Sequence, residues 1–301
     1  MKPIIQLKNI SEINNFVKCK TNHPLISVVD FSKTDEYIED GTRMSADFYS
    51  IMFKNYCANK LRYGRQSLDF QDGSLICIAP KQVLIMDNEI EKRDDMMGWG
   101  LFFHPDLLRG TSLGSKMNDY TFFNYETSEA LHLSDKEKQI LYECIQKIET
   151  ELHENIDNHS QAILVSNIEL LLNYCSRYYS RQFITRKNTN SNTVSQVQTL
   201  LKNYFKTELL KEKGLPTVKY LADNVHLSAN YLSDLLKKET GMNAQDQIHY
   251  YLIEEAKNIL LNTHNSISEI AYSLGFEYPQ YFSKLFKQKT GHTPLEYRNL
   301  N

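Results

Sequence analysis

The chain of 301 residues contains no apolar run approaching the ~20 residues that a membrane-crossing helix needs. Its first residues, MKPIIQLKNISEINN, lack the layout of a signal peptide. Both absences point to a soluble, cytoplasmic protein with no membrane among its partners. An excess of positive charge is missing too: the net charge is −3. From Ser195 onward there are 12 Lys/Arg against 11 Asp/Glu, and before it 22 against 26. Bulk attraction to a polyanion is therefore excluded, and any nucleic-acid contact must rest on locally placed cations. The five cysteines (Cys19, Cys57, Cys77, Cys144 and Cys175) are dispersed and odd in number, which fits a reducing compartment better than a disulfide framework. No His-x-His occurs, and His23, His104 and His132 lie far apart, so no metal site is expected. Neither a glycine-rich phosphate loop nor a local Ser-His-Asp or Cys-His signature is present. No catalytic residue and no cofactor are nominated, and the expectation is that the chain is not an enzyme.

What is present is concentrated near the C-terminus. Ser266 and Glu269 stand at capping-box spacing, Ile267, Ile270, Ala271 and Leu274 follow at helical period, and Gly275 stops the helix. Pro279 suits the first turn of a second helix. That helix is expected to bury Tyr281, Phe282, Leu285 and Phe286, and from Tyr278 to Lys289 it carries lysines and no acid. Gly291 ends it, and Thr293 with Glu296 opens another. Two short helices across a tight glycine turn read as a helix-turn-helix. The pattern recurs about fifty residues upstream. Val218, Leu221, Ala222 and Val225 match the first helix, Tyr231-Leu232-Ser233 matches Tyr281-Phe282-Ser283, and Thr240-Gly241 matches Thr290-Gly291. Caps and apolar stripes occur in any small helical domain; the duplication is what singles this one out.

From about Val194 onward, the chain resembles the DNA-binding domain of the AraC/XylS transcription regulators. The residues that carry the resemblance include Leu221-Ala222, Tyr231-Leu232-Ser233, Ala256-Lys257, Ile270-Ala271, Gly275-Phe276, Tyr281-Phe282, Phe286-Lys287 and Thr290-Gly291-His292-Thr293-Pro294. The preceding two thirds resemble that family's regulatory module more weakly. The resemblance implies an α+β protein of two domains. Residues 1–184 would form a cupin-like β-barrel, regulatory and effector-binding, with a helical dimerisation segment over about 134–184. Residues 185–195 would be a linker, and 196–301 an all-α domain with two helix-turn-helix motifs. It implies double-stranded promoter DNA and RNA polymerase as partners, a small-molecule effector of unknown identity, a homodimer, and activation more often than repression.

The residues of the N-terminal part support strands. Ile26–Phe31, Phe48–Phe53, Ser74–Ala79 and Trp99–Phe103 are short and rich in β-branched and aromatic residues, punctuated by Asp40-Gly41, Asp72-Gly73 and Ala79-Pro80. Tyr49, Tyr63, Arg65, Trp99 and Phe102 are candidate walls of an effector pocket, although aromatic residues at strand spacing are more often plain core. From Ser134 the period becomes helical. A second helix from about Gln161 to Phe183 carries Leu164, Ile168, Leu171, Cys175 and Tyr178 on one stripe, widened by Val165, Leu172 and Tyr179. So broad a stripe could serve both the barrel and a second subunit. Thr185–Thr193 is polar without apolar anchors and reads as linker.

Within the C-terminal domain, Gln245–Leu261 reads as a connector helix with Ile248, Leu252, Ala256, Ile259 and Leu260 inward. Its length of about 25 Å could hold two recognition helices near the ~34 Å spacing of successive major grooves. With Tyr231, Leu232 and Leu235 inward, Asn230, Ser233, Asp234 and Lys237 project from the first recognition helix. The matching set on the second is Tyr278, Gln280, Ser283, Lys284 and Lys287. Asn and Gln suit adenine edges, and Lys suits guanine or phosphate. Asp234 departs from the family, where arginine is common, and a carboxylate repels phosphate, so the second head is expected to supply more of the attraction. Two rivals come from other classes: a cupin-type enzyme carrying a DNA-binding appendage, and an interaction protein whose helix-turn-helix units bind protein.

Overall fold

The computed structural model describes residues 3–34, 41–54, 62–63, 66–67, 73–86, 98–126, 129–185, 187–206 and 209–300. It divides into two compact units, Met1–Thr185 and Arg186–Asn301.

Among the described residues of the first unit, ten strands make two five-stranded sheets. In chain order they are β1 (Ile4–Leu7), β2 (Ile26–Asp30), β3 (Thr42–Ala46), β4 (Tyr49–Lys54), β5 (Arg62–Tyr63), β6 (Gln66–Ser67), β7 (Ser74–Ile78), β8 (Val83–Met86), β9 (Gly98–Phe103) and β10 (Leu131–His132). One sheet runs β1-β3-β8-β5-β6 and the other β10-β7-β4-β9-β2. Strand alternation sends neighbouring side chains to opposite faces. On one face of the second sheet, Val29 and Phe102 join Leu7, Met44 and Ala46 of the first, and Met52, Ile76 and Ile78 meet Leu84. The sheets thus face each other across an apolar layer. The expected closed barrel is not what the ladders show: among the described residues no pairing joins one sheet to the other.

Four helices accompany the sheets: α1 (Ile10–Phe16), α2 (Ser112–Lys116), α3 (Asp135–His153) and α4 (Ser160–Thr185). The capping box of Ser134 and Glu137 starts α3 as its spacing predicts. Arg181 of α4 holds Glu137 at 2.8 Å and the carbonyl of His132 at 2.7 Å, tying α4 to α3 and β10. All eight residues of the broad α4 stripe are buried inside this one unit. Those eight residues are thus spent on packing within the unit, while Ile163 and Leu170 of the same helix are exposed. The sheet claims Cys175 and Tyr179, and α3 and the aromatic turn Thr121–Asn124 take much of the rest.

The second unit is all helix: α5 (Lys187–Lys206), α6 (Leu209–Lys213), α7 (Val218–Val225), α8 (Ala229–Thr240), α9 (Ala244–Asn262), α10 (Ile267–Ser273), α11 (Pro279–Thr290) and α12 (Pro294–Leu300). One core runs through it, with Leu252, Ala256 and Leu260 of α9 beside Leu221, Ala222, Leu232, Ile270, Ala271, Phe282 and Phe286 from the two motifs. Residues 187–195, expected as linker, form the first half of α5. Their polar side chains find helical partners: Ser195 Oγ donates to the carbonyl of Ser191 at 3.0 Å, and buried Asn190 donates to Glu239 at 3.3 Å.

The two turns solve one backbone problem differently. His226 adopts φ 57°, ψ 43°, the left-handed region that His tolerates better than most. Gly275 sits at φ 81°, and a Cβ there would stand 2.9 Å from Gly214 Cα and 3.2 Å from the Leu210 carbonyl. Both conformation and space demand glycine. Gly241, at φ 77°, has open space around it. Gly275→Ala is expected to cost about 2–4 kcal/mol and Gly241→Ala only about 1 kcal/mol. Urea denaturation of the two full-length variants, followed by circular dichroism, checks the ranking.

Candidate nucleic-acid interface

Each half of the second unit presents a supporting helix and a following helix, set by matching local chemistry. Thr217 accepts from the Tyr220 N–H at 3.0 Å to start α7, and Ser228 accepts from Tyr231 at 3.2 Å to start α8. In the second copy Ser266 and Glu269 cap α10 reciprocally, and Pro279 occupies the first turn of α11. The ends match atom for atom. Thr240 Oγ1 donates to the Leu236 carbonyl at 2.7 Å and accepts from Met242 N at 3.3 Å; Thr290 Oγ1 donates to Phe286 at 2.8 Å and accepts from His292 N at 3.3 Å. Both helices then stop at a left-handed glycine, Gly241 or Gly291.

The proposed contact residues do not all have the same freedom. Asn230, Lys237, Gln280, Lys284 and Lys287 are exposed, as is Tyr278. Asp234 and Ser283 are half-buried. Ser233 is half-buried and its hydroxyl accepts from the Ala244 N–H at 3.4 Å, so it links α8 to the start of α9. Ser283 has no equivalent donor, because Pro294 stands at the matching place and lacks an N–H. Lys289 is committed as well: its ammonium lies 2.8 Å from Asp246 in the first turn of α9. Lys284 and Lys287 thus remain as the exposed, adjacent cations of α11.

One expectation is overturned. Tyr281 is not on the buried face: it is 61% exposed, whereas its counterpart Tyr231 is 4% exposed. α8 packs on α5 as well as on α7 and α9, whereas the larger contacts of α11 are with α10 and α12. Tyr281 instead meets Tyr278 edge-on, ring centres 5.8 Å apart. With Gln280 and Lys284 it forms an aromatic and polar surface at the start of α11. Periodicity could not reveal this, because both tyrosines sit at the same helical position.

The connector is longer than expected, Ala244–Asn262, or about 28 Å at 1.5 Å per residue. Ile248, Leu252, Ala256 and Leu260 are buried and Ile259 packs beside them. Arg298 of α12 donates to the carbonyls of Leu260 at 3.1 Å and Asn265 at 2.8 Å, bracing the connector's last turn.

Of the five candidate effector residues, the three whose side chains are described do not share one face of the sheet. Trp99 and Tyr49 lie on one face of the second sheet and Phe102 on the other, as the pairing of Trp99 with Phe53 and of Phe102 with Ser50 requires. Tyr49 stacks on Phe103, and Phe102 meets Phe48 edge-on, both core roles. Tyr63 belongs to β5, but its side chain and all of Arg65 lie outside the described residues. Sequence reading missed Lys54. It is buried on the face shared with Phe102, its ammonium 5.8 Å from the Phe31 ring centre, and burial lowers its pKa to about 8. Among the described residues no group of three or more His, Cys, Asp or Glu could hold a metal ion. Each expected histidine has local work: His23 accepts from Leu25 N, His104 from Asp106 N, and His132 lies 3.3 Å from the Ser74 hydroxyl. No helix of the described residues is long and apolar enough to cross a membrane.

Residues 221–300 match the family model of a helix-turn-helix domain. The HTH-type transcriptional regulator YisR of Bacillus subtilis is 37% identical over 93 residues, 31% of this chain and 32% of that protein. The xylose operon regulatory protein of Escherichia coli K12 is 36% identical over 89 residues, 30% of this chain and 22% of that protein. Among solved structures, the C-terminal domain of the two-component response regulator yesN from Fusobacterium nucleatum is 32% identical, with a TM-score of 0.32, covering 36% of this chain and 98% of that one. The chain spans less than half the length of the curated relatives it matches first.

The different burial of the two tyrosines has a measurable consequence. Tyr231→Ala is expected to cost about 2–4 kcal/mol, and Tyr281→Ala to stay within about 0.5 kcal/mol of the parent. Equal losses in a denaturant titration would show that Tyr281 is held in the core after all.

Proposed function

We propose that this chain, whose C-terminal unit is a helix-turn-helix domain of the AraC type, is a sequence-specific DNA-binding transcriptional regulator. The observation that carries the reading is the doubled motif on one rod. Two capped helix pairs with the same Thr-Gly termination flank the ~28 Å connector α9, a length suited to neighbouring major grooves.

The heads divide the work unequally. Lys284 and Lys287 give α11 a cationic face with no acid between Tyr278 and Lys289, so they act on phosphate. Asn230 and Gln280, exposed near the starts of α8 and α11, are placed to read base edges, with Tyr278 and Tyr281 beside Gln280. Ser233, tied to α9, positions its helix and does not read. Asp234 opposes phosphate beside α8 and weakens the first head. Effector control from the N-terminal unit, a homodimer, contact with RNA polymerase, activation and a cytoplasmic setting complete the proposal. They rest on the family resemblance, and the xylose operon regulator among the relatives supports the regulatory part.

Replacing Lys284 and Lys287 together by alanine is expected to weaken binding to random-sequence duplex DNA at least tenfold. The slope of log affinity against log salt should become shallower by about 2 per chain. An unchanged slope would remove these lysines from the interface, and no binding by the parent at low salt would favour the protein-binding alternative. Asp234→Asn is expected to tighten the same binding by about two- to tenfold, because it removes a charge facing phosphate. Fluorescence anisotropy over a salt series reads both.

A further inference from the structure

A cleft of about 400 Å³ lies in the first unit, outside the layer between the sheets. Its floor is Trp99, Phe53, Val28 and Ile145, and one face of α3 from Asp135 to Glu149 forms a wall. Those fifteen residues, fourteen steps of 1.5 Å, give a wall about 21 Å long. The opposite wall is the end of the edge strand β2 and the turn after it, with Asp30, Ser32 and Lys33. Such a volume is within the range of small-molecule sites.

The chemistry of the lining is asymmetric. It holds three carboxylates, Asp30, Asp135 and Glu149, against two ammonium groups, Lys33 and Lys138. Asp135 and Lys138 bridge each other at 3.0 Å, and the Asp135 side chain is almost wholly in solvent. Asp30 is different. It pairs with Trp99 across the β2–β9 ladder, so its carboxylate is fixed beside the indole. Its Oδ1 accepts from the Ser32 N–H at 3.0 Å and the Ser32 hydroxyl at 2.6 Å. Burial works to raise its pKa, but the bonds from Ser32 and Lys33 outweigh it and hold the carboxyl below its usual range. Its Oδ2 meets Lys33 at 3.1 Å, and the Lys33 side chain is 76% exposed. An exposed pair of that kind contributes about 0–1 kcal/mol, so another cation can take its place.

We propose that this cleft binds a small organic monocation with a flat apolar body. The ammonium replaces Lys33 at Asp30 Oδ2, and the body lies over Trp99 and Phe53 under Tyr142. Aromatic faces attract a cation as well as cover an apolar ring, and the one-charge excess of carboxylates disfavours anions. Phosphates and sugar acids are thereby the wrong class. The site is independent of the DNA-binding reading, since every residue in it belongs to the first unit.

Trp99 is the only tryptophan of the chain, so tryptophan emission reports on this cleft alone. The full-length protein, without DNA, is titrated with 2-phenylethylammonium, with its neutral analogue 2-phenylethanol, and with the anion 3-phenylpropionate. A saturable emission change with the ammonium, at a Kd on the order of a millimolar or tighter, is expected, with at least fivefold weaker response to the other two. Asp30→Asn keeps an acceptor for the Ser32 N–H and should weaken the ammonium by about 10–100-fold. Lys33→Ala removes the competing cation and should tighten it by about two- to fivefold. Calorimetry on Trp99→Phe, which retains a flat face, separates binding from signal. No saturation by ~10 mM, or equal response to the carboxylate, overturns the proposal. So does an unchanged affinity in Asp30→Asn.

Discussion

The second unit depends on one constraint: α9 must be apolar on enough of its surface to serve two helix pairs at once. Leu252, Ala256 and Leu260 are fully buried, and so are the leucines, isoleucine and phenylalanines that reach α9's core from both copies. Ala222, Ala256 and Ala271 are buried in the same core, where a small side chain permits close helix approach. Large fully buried side chains such as Phe282 and Phe286 each contribute about 1.5–3 kcal/mol when removed from water. The rod's ends are polar and braced: Asn243 accepts from Asp246 N at its start, Lys289 holds Asp246, and Arg298 takes the Leu260 carbonyl at its end. Stiffness of this element follows from packing on several sides, and with it a fixed spacing between whatever the two copies carry.

Duplication preserved the devices that end helices and released those that face outward. The Thr-Gly stop is the same in both copies to within a few tenths of an ångström. The turns are not the same: Gly275 lies against Gly214, whereas His226 is exposed. Ser233 and Ser283 diverge through a single residue elsewhere, alanine or proline at the start of the next helix. Tyr231 and Tyr281 diverge in burial, and α5 packs on the helix that carries the buried one. Identical letters therefore carry different jobs, and the difference comes from residues far along the chain.

That is also the limit of what could be read beforehand. Caps, stop glycines and 3.6-residue stripes are local, and Ser134, Ser228, Ser266, Pro279 and the inward residues of α9 stand where their spacing places them. Strand segments were legible from β-branched and aromatic runs. The exposure of Tyr281 was not, since it depends on what packs outside the motif. The polar run before Ser195 looked like a linker because its residues favour loops in isolation, yet it is helical, with Ser195 bonded to Ser191 within α5 and Asn190 to Glu239 of α8. Trp99 and Phe102 seemed to share a pocket, although strand parity separates them by the thickness of the sheet. The cleft beside Asp30 was invisible because its walls come from a strand edge and a helix more than a hundred residues apart.

A domain with nearly balanced charge can still attract a polyanion if its acids are occupied and its bases are grouped. Asp246 is neutralised by Lys289, Glu254 by Lys257 at 2.8 Å, and Glu269 and Glu296 are turned onto backbone N–H groups as caps. Those capping bonds lower the pKa of both glutamates, so each stays ionised while directed at its own helix start. Acids spent in this way contribute little field on the far side of α11, where Lys284 and Lys287 stand one turn apart. On α8 the corresponding stretch includes an acid, half-buried Asp234, where α11 has none from Tyr278 to Lys289. Net charge alone conceals such local differences, because it counts acids that cap helices or pair with lysines as if they stood in solvent.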